Sequence, residues 1–398
     1  MTDLGSGCDN VGMLKVFTAE RLWDGKSVTQ HPIVAVEDGR IAAIGSQEVS
    51  AIPAGAQVRD FAGTTLGPAF FDVHIHGSAG HDVMEATPRA LETMGSFLAA
   101  HGTGTYLATT VTAPMDLTLR SLGQLSALIQ RGTNAPQAWP AGIHLEGPFL
   151  SHEKRGVHPP GLLLAPDIAL FDRLFEAAEG FIKLMTLAPE LQGAVELARH
   201  ATALGVRVSV GHSNATSQET RAVIAAGATS ATHTYNAMRA LDHREPGILG
   251  TVLTTDSLFA ELICDGIHNA PEMARLWWKA KGPERALLMT DAMSAAGMPD
   301  GEYQLGAFAV EVANGRATAN GILAGSVLTL DRALCNFLEF TGASVEDGLR
   351  ALTTNPATMT GLHNRAGSLA VGQPAHLVAV DSAGKLVASI HSGAVLQS

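Results

Sequence analysis

The segment Asp72-Val-His74-Ile-His76-Gly77 sets two histidines two residues apart, directly after the apolar run Leu66-Gly-Pro-Ala-Phe-Phe71. Side chains alternate along a strand, so His74 and His76 project from one face and their imidazoles can converge on one ion. Imidazole suits zinc, iron and similar metals. Other apolar runs end in residues of matching chemistry: Gly142-Ile-His-Leu-Glu146 in Glu146, Val206-Arg-Val-Ser-Val-Gly-His212 in His212, Ala228-Thr-Ser-Ala-Thr-His233 in His233, and Ala286-Leu-Leu-Met-Thr-Asp291 in Asp291. Neutral imidazoles and a carboxylate hold a divalent ion and leave a position for water, whose pKa falls from about 16 toward about 7. A separate carboxylate then moves protons. Asp291 suits that role: it can take a proton from the water and return it to a leaving amine. His144 shares the face of Glu146, and stands either as a supporting partner of the ligands or as a plain core histidine.

These residues act together only if the chain delivers them to one rim. Eight strand candidates, over 66–73, 104–111, 141–147, 183–188, 206–212, 228–233, 259–265 and 286–291, alternate with helix-like stretches such as Thr87–Ala100, Leu191–Leu204, Ser217–Ala226 and Pro271–Lys281. Alternation of this kind argues for a parallel sheet. Eight strands with helices between them predict an α/β fold, a (β/α)8 TIM barrel, with the polar residues at its C-terminal mouth. A doubly wound sheet is the alternative, and it would gather ligands at one crevice instead.

Both ends of the chain read differently. Ile33–Val36 and Ile41–Ile44 flank an Asp38-Gly39 turn, and His376–Val380 and Lys385–Ile390 flank Asp381–Gly384. Neither end can build a core alone, so the expectation is one small β-sandwich domain formed from both termini. The domains expected are a flexible tail over 1–10, a composite β-sandwich over 11–64 plus 364–398, and the barrel over 65–363.

A chain of 398 residues with 46% apolar and 16% charged residues is globular with a large core. Its net charge of −12 argues against nucleic acid as a partner. No apolar run reaches the about 18 residues of a membrane helix, so no membrane partner is expected. Three scattered cysteines give no disulfide framework, and the first residues lack a signal-peptide pattern; a reduced, cytoplasmic setting is the expectation.

Taken in order, His144-Leu-Glu146-Gly-Pro-Phe149, Gly211-His212-Ser213, Thr232-His233-Thr-Tyr-Asn236-Ala237-Met238, Arg244-Glu245-Pro246-Gly247, Asp265-Gly266-Ile267-His268, Thr290-Asp291-Ala292 and Leu323-Ala324-Gly325-Ser326 resemble the amidohydrolase superfamily from about residue 14 to 395. The resemblance is strongest to its branch of amino-sugar-phosphate deacetylases. It implies hydrolysis of the acetamide of N-acetylglucosamine 6-phosphate, with N-acetylgalactosamine 6-phosphate or a cyclic amide as alternative substrates. It also implies roles. Glu146, His212 and His233 would hold the main metal, zinc or iron, and His74 and His76 a second, giving one or two ions per subunit with Glu146 between them. Asp291 would be the general acid/base, and His158 would polarise the acetyl carbonyl. Asn236 and Ala237 would contact the substrate, Arg244 and His268 its phosphate, and Leu323, Ala324 and Gly325 would pack beside the sugar. A homodimer is implied, with Arg244 reaching in from the partner. Related branches bridge two metals with a lysine at the mouth end of strand 4; here Lys183 stands at the beginning of that strand.

Overall fold

The computed structural model describes residues 14–396. The tail expected over residues 1–10 lies outside the described residues. Eight strands, Phe70–Ile75, Thr103–Thr110, Trp139–Glu146, Ile182–Leu187, Arg207–Val210, Ala228–Ala231, Phe259–Ile263 and Ala286–Met289, pair side by side in chain order, all parallel. Their bodies are almost wholly buried, as a sheet covered on both faces by other residues requires. Helices return the chain between them. Pro88–Ala100 starts where the Thr87 side chain accepts from Ala90 N, and Ser217–Ala225 where Thr216 and Glu219 cap one another. The TIM-barrel expectation therefore holds, and the doubly wound alternative does not.

The barrel closes between its first and last strands. The Asp291 backbone N–H donates to His74 O at 2.9 Å, and His76 N–H to Ala292 O at 2.8 Å. Below them Asp72 accepts from Thr290 Oγ1 at 2.6 Å and from His74 N at 3.2 Å. Residues expected at the site are thus also residues of the closing seam.

The apolar run expected as one strand over 66–73 is divided in two. Gln57–Pro68 belongs to a sheet built from the termini, with Thr65 opposite Val380 and Pro68 opposite Leu377. Ala69 N–H still bonds His376 O, and only Phe70 N–H turns to Gly102 O at the barrel. Both halves are buried, so hydropathy gives no sign of the handover. In the terminal sheet, Pro32–Glu37 and Arg40–Ser46 form the expected hairpin, with Asp38 at φ 48° and Gly39 at φ 75° supplying the left-handed pair that a tight turn needs. Strands from both ends join one eight-stranded sheet, and Phe17, Val34, Ile41, Phe61, Leu66, Leu377 and Ile390 share its core.

A second element has no counterpart in the sequence reading. After the last barrel strand, Gly301–Leu305, Phe308–Ala313, Arg316–Ala319 and Ile322–Leu323 form a four-stranded antiparallel sheet. Two of its turns are Asn314-Gly315 and Asn320-Gly321, with positive φ at all four residues. This sheet packs Leu305, Val310, Val312 and Ala317 against Met293 and Ala295, beside the barrel mouth. Among the described residues, no helix is long and apolar enough to cross a membrane.

His391 tests the terminal sheet. It is fully buried, its Nε2 lies 3.1 Å from Ser389 Oγ, and its ring sits 5.2 Å from that of His376. Burial, and to a lesser degree His376, pushes its pKa from 6.5 down to about 3. Between those pH values the unfolded chain binds a proton that the folded chain does not, so stability falls as pH drops below about 6.5. The loss should reach on the order of 3 kcal/mol near pH 4. His391→Gln should flatten the slope of denaturant midpoint against pH over that range; an unchanged slope would contradict this reading.

Candidate active site

The ends of strands one, three, five, six and eight carry the polar groups of the mouth. His212, His233 and Asp291 stand just past their strands with φ of 46°, 30° and 50°, left-handed values uncommon outside glycine. Such conformations persist where the surroundings hold them, and they concentrate at functional sites. Gly325 is part of that hold. Its φ is +66°, and a Cβ there would stand 3.0 Å from the Asp291 carbonyl oxygen. The close approach lets Ser326 N–H donate to the same oxygen at 2.7 Å.

At the centre lies Glu146. Its Oε1 is 3.3 Å from both His212 Nε2 and His233 Nε2 and 3.4 Å from His74 Nε2; its Oε2 is 3.1 Å from His76 Nε2 and 3.7 Å from His158 Nε2. Asp291 Oδ1 is 3.2 Å from His76 Nε2 and 3.5 Å from His74 Nε2. All seven groups are buried. Burial alone would raise the Glu146 pKa, but the His74 charge and hydrogen bonds from His158, His212 and His233 hold it well below the usual range. Asp291 is held down in the same way, burial being outweighed by His74 and His76. Burial would lower His76, yet its bonds to Asp291 and Glu146 lift it to about 9. In His74 the charges of Glu146 and Asp291 likewise overcome burial and raise it strongly.

The far nitrogens decide which atoms face inward. His212 Nδ1 lies 2.9 Å from Lys154 O and His76 Nδ1 3.2 Å from Thr109 O. A carbonyl only accepts, so each Nδ1 carries hydrogen, and a cation that displaces the proton on Nε2 meets that nitrogen's lone pair facing inward. The Nε2 atoms converge in two pairs: His212 and His233 Nε2 are 3.0 Å apart, and His74 and His76 Nε2 are 3.3 Å apart. Lone pairs crowded around ionised carboxylates, out of water, are the donor set of a divalent cation. His74, His76 and Asp291 form one group of ligand atoms within 4.8 Å of one another; Glu146, His158 and His212 form another. His158 differs from the rest. Thr112 N–H points at its Nδ1 at 3.4 Å, with Thr112 Oγ1 at 2.8 Å, so Nδ1 accepts and Nε2 carries the hydrogen. That nitrogen is a donor rather than a ligand. His144 lies beneath, with Nε2 2.8 Å from Thr186 Oγ1 and its ring 4.6 Å from that of His74. It supports the ligand layer and does not enter it.

Above the cluster opens a cavity of about 460 Å³, lined by His76, Glu146, His158, His212, His233, Asn236, Ala237, His268, Asp291, Leu323 and Gly325. Ala324 is buried behind that wall. Arg244 does not reach it: the residue is exposed on the loop before Gly247, with its backbone N–H bonded to Asp242. Sequence reading missed Lys154, Arg155, Leu305 and Ile322, which also line the cavity. Arg155 stood beside His158 in the sequence, whereas the other three carried no signal of their own. His268 is oriented by Asp265, whose Oδ2 is 2.6 Å from His268 Nδ1, leaving Nε2 free to face a ligand.

Comparison with known proteins follows this geometry. Residues 65–396 match the family described as "Amidohydrolase family". The chain is 40% identical over 371 residues to N-acetylgalactosamine-6-phosphate deacetylase of Escherichia coli O157:H7, covering 93% of this chain and 96% of that one. It is 37% identical over 379 residues to N-acetylglucosamine-6-phosphate deacetylase of Bacillus subtilis (strain 168), covering 92% and 93%. The crystal structure of N-acetyl-D-glucosamine-6-phosphate deacetylase from Mycobacterium smegmatis superposes with a TM-score of 0.88 at 35% identity, over 96% of this chain and all of that one.

A donor set of this kind predicts that chelation destabilises the protein. An ion that binds only the folded state contributes about 4 kcal/mol at a thousandfold excess over Kd. Zinc added back to stripped protein should raise the unfolding temperature by on the order of 5 °C or more. His212→Ala should lose most of that rise, and a stripped protein indifferent to zinc, iron(II) and manganese(II) would contradict the donor-set reading.

Proposed function

The chain belongs to the amidohydrolase family, and from that premise we propose that it hydrolyses the acetamide of N-acetylglucosamine 6-phosphate to glucosamine 6-phosphate and acetate. The observation that carries this reading is the pairing, around Glu146, of an ionised Asp291 with an inward N–H on His158 at the floor of a cavity bordered by cations. A zinc or iron ion, held by Glu146, His212 and His233, with His74, His76 and Asp291 as a second set, would polarise the amide carbonyl and acidify water.

The chain's own groups do the rest. Asp291 takes a proton from the attacking water and delivers it to the amide nitrogen as the C–N bond breaks. His158 Nε2–H donates to the carbonyl oxygen as negative charge develops there. His268 binds the phosphate, and Arg244 adds a bidentate fork. Arg244 is exposed and does not line its own cavity, and its proposed place is at the cavity of a partner subunit in a homodimer. Asn236 and the backbone at Ala237 hold the sugar, while Leu323 and Gly325 close its flank and keep bulk water out. Free Cys264 and Cys335 suit a reducing compartment, and we place the protein in the cytoplasm.

The galacto isomer is a second reading, favoured by the 40% identity to a relative named for that substrate. Acetate release from the two 6-phosphates and from unphosphorylated N-acetylglucosamine separates these readings. Fast release from the gluco phosphate, and little from the free sugar, is expected. Equal rates with and without phosphate would remove Arg244 and His268 from their roles. Asp291→Asn should lower kcat by about 10²–10⁴; near-normal turnover would overturn its assignment. Arg244→Ala should raise KM by on the order of tenfold with kcat little changed. An unchanged KM would place phosphate binding elsewhere.

A further inference from the structure

Glu261 is a carboxylate in the middle of the seventh barrel strand, Phe259–Ile263, among the apolar Phe259, Ala260, Leu262 and Ile263. It is 0% exposed and does not line the cavity. Its Oε2 lies 3.4 Å from His74 Nδ1 and 3.3 Å from the backbone N of His233. Its own carbonyl accepts from Thr234 N–H at 2.9 Å. Oε1 has no hydrogen-bond partner among the described residues. A buried carboxylate with one oxygen unpaired is expensive to keep, and an apolar side chain would fill the strand more stably. What the carboxylate does there is chemical. It accepts the hydrogen of His74 Nδ1, which aims His74 Nε2 at Glu146, His76 and Asp291. The same oxygen pins the backbone of His233, so one group steadies a donor from each part of the cluster.

We propose that Glu261 is a positioning residue for the metal centre: it fixes the imidazole of His74 and the strand end at His233, and so sets how tightly the site holds its ion or ions. This rests on the reading that the cluster binds a divalent cation. Carboxylates behind a ligating histidine orient the ring and raise its basicity, and losing one typically weakens metal binding by about 10–100-fold.

The test uses the full chain, wild type and Glu261→Gln. Zinc affinity is read by competition with a chromophoric chelator, ions per subunit by elemental analysis, and ion-free stability by thermal unfolding. The expected result is zinc binding weakened by about 10–100-fold, with the ion-free unfolding temperature no lower than that of wild type. A merely structural role would do the reverse, lowering the ion-free unfolding temperature and leaving the affinity of the folded protein alone. Should Glu261→Gln not fold, Glu261→Asp keeps the charge one methylene short, and the same loss of affinity is expected. Zinc affinity within twofold of wild type, in either variant, overturns the proposal. Weakened binding in the variant, with one ion per wild-type subunit, supports Glu261 while removing the two-ion reading. Wild-type protein that binds no zinc overturns the metal reading itself, before any variant is made.

Discussion

Glu146 is only 3% exposed, yet five imidazole nitrogens stand within 3.7 Å of its two oxygens. A charge taken out of water on this scale must be compensated on the spot. Every other feature of the mouth follows from supplying that compensation. The imidazoles come from barrel strands one, five and six and from the loop after strand three. No single strand could deliver them at this density, and a closed ring of parallel strands aims all its C-terminal ends at one point. Outside that ring a further set of acceptors, Lys154 O, Thr109 O and Glu261, turns the rings so that their Nε2 atoms face inward.

The same constraint ties the fold to the chemistry. The barrel is closed by bonds between the strand of His74 and His76 and the segment of Asp291. Asp72 and Thr290 lock that seam from below, and Gly325 and Ser326 lock it from the side. The spacing between Asp291 and the histidines is therefore a property of barrel closure, not of a loop free to drift. Rigid placement is what lets fixed dipoles and charges act without reorganising during the reaction. The antiparallel sheet over 301–323 brings Leu305, Ile322 and Leu323 to the same cavity, so the wall beside the substrate comes from outside the barrel repeat.

Much of this was legible in the sequence, because period and residue type carried it. His74 and His76 two apart after an apolar run, and Glu146, His212, His233 and Asp291 at the ends of later runs, announced both the strands and their mouth. The Asp38-Gly39 turn announced its hairpin. Other parts were not legible, each for a physical reason. The split between Gln57–Pro68 and Phe70–Ile75 leaves no trace because the residues on both sides of it, 64–68 and 70–75, are buried. Glu261 looks like any glutamate until the fold sets it beside His74. Arg244 reads as a phosphate ligand by type, yet it does not line the cavity, because hydropathy and residue type do not say where an exposed loop stands relative to the barrel mouth. The sheet over 301–323 is a different case: Asn314-Gly315 and Asn320-Gly321 are sound hairpin signals that went unused.

The proposed hydrolysis requires the buried cluster around Glu146 to hold a divalent ion beside Asp291 and His158. Diffraction from crystals grown with zinc, recorded on both sides of the zinc absorption edge, tests it most directly. An anomalous peak bounded by Glu146, His212 and His233 is expected, with any second peak bounded by His74, His76 and Asp291. Zinc peaks only on the protein surface, with the imidazoles and Glu146 bonded to one another and no ion between them, would contradict it.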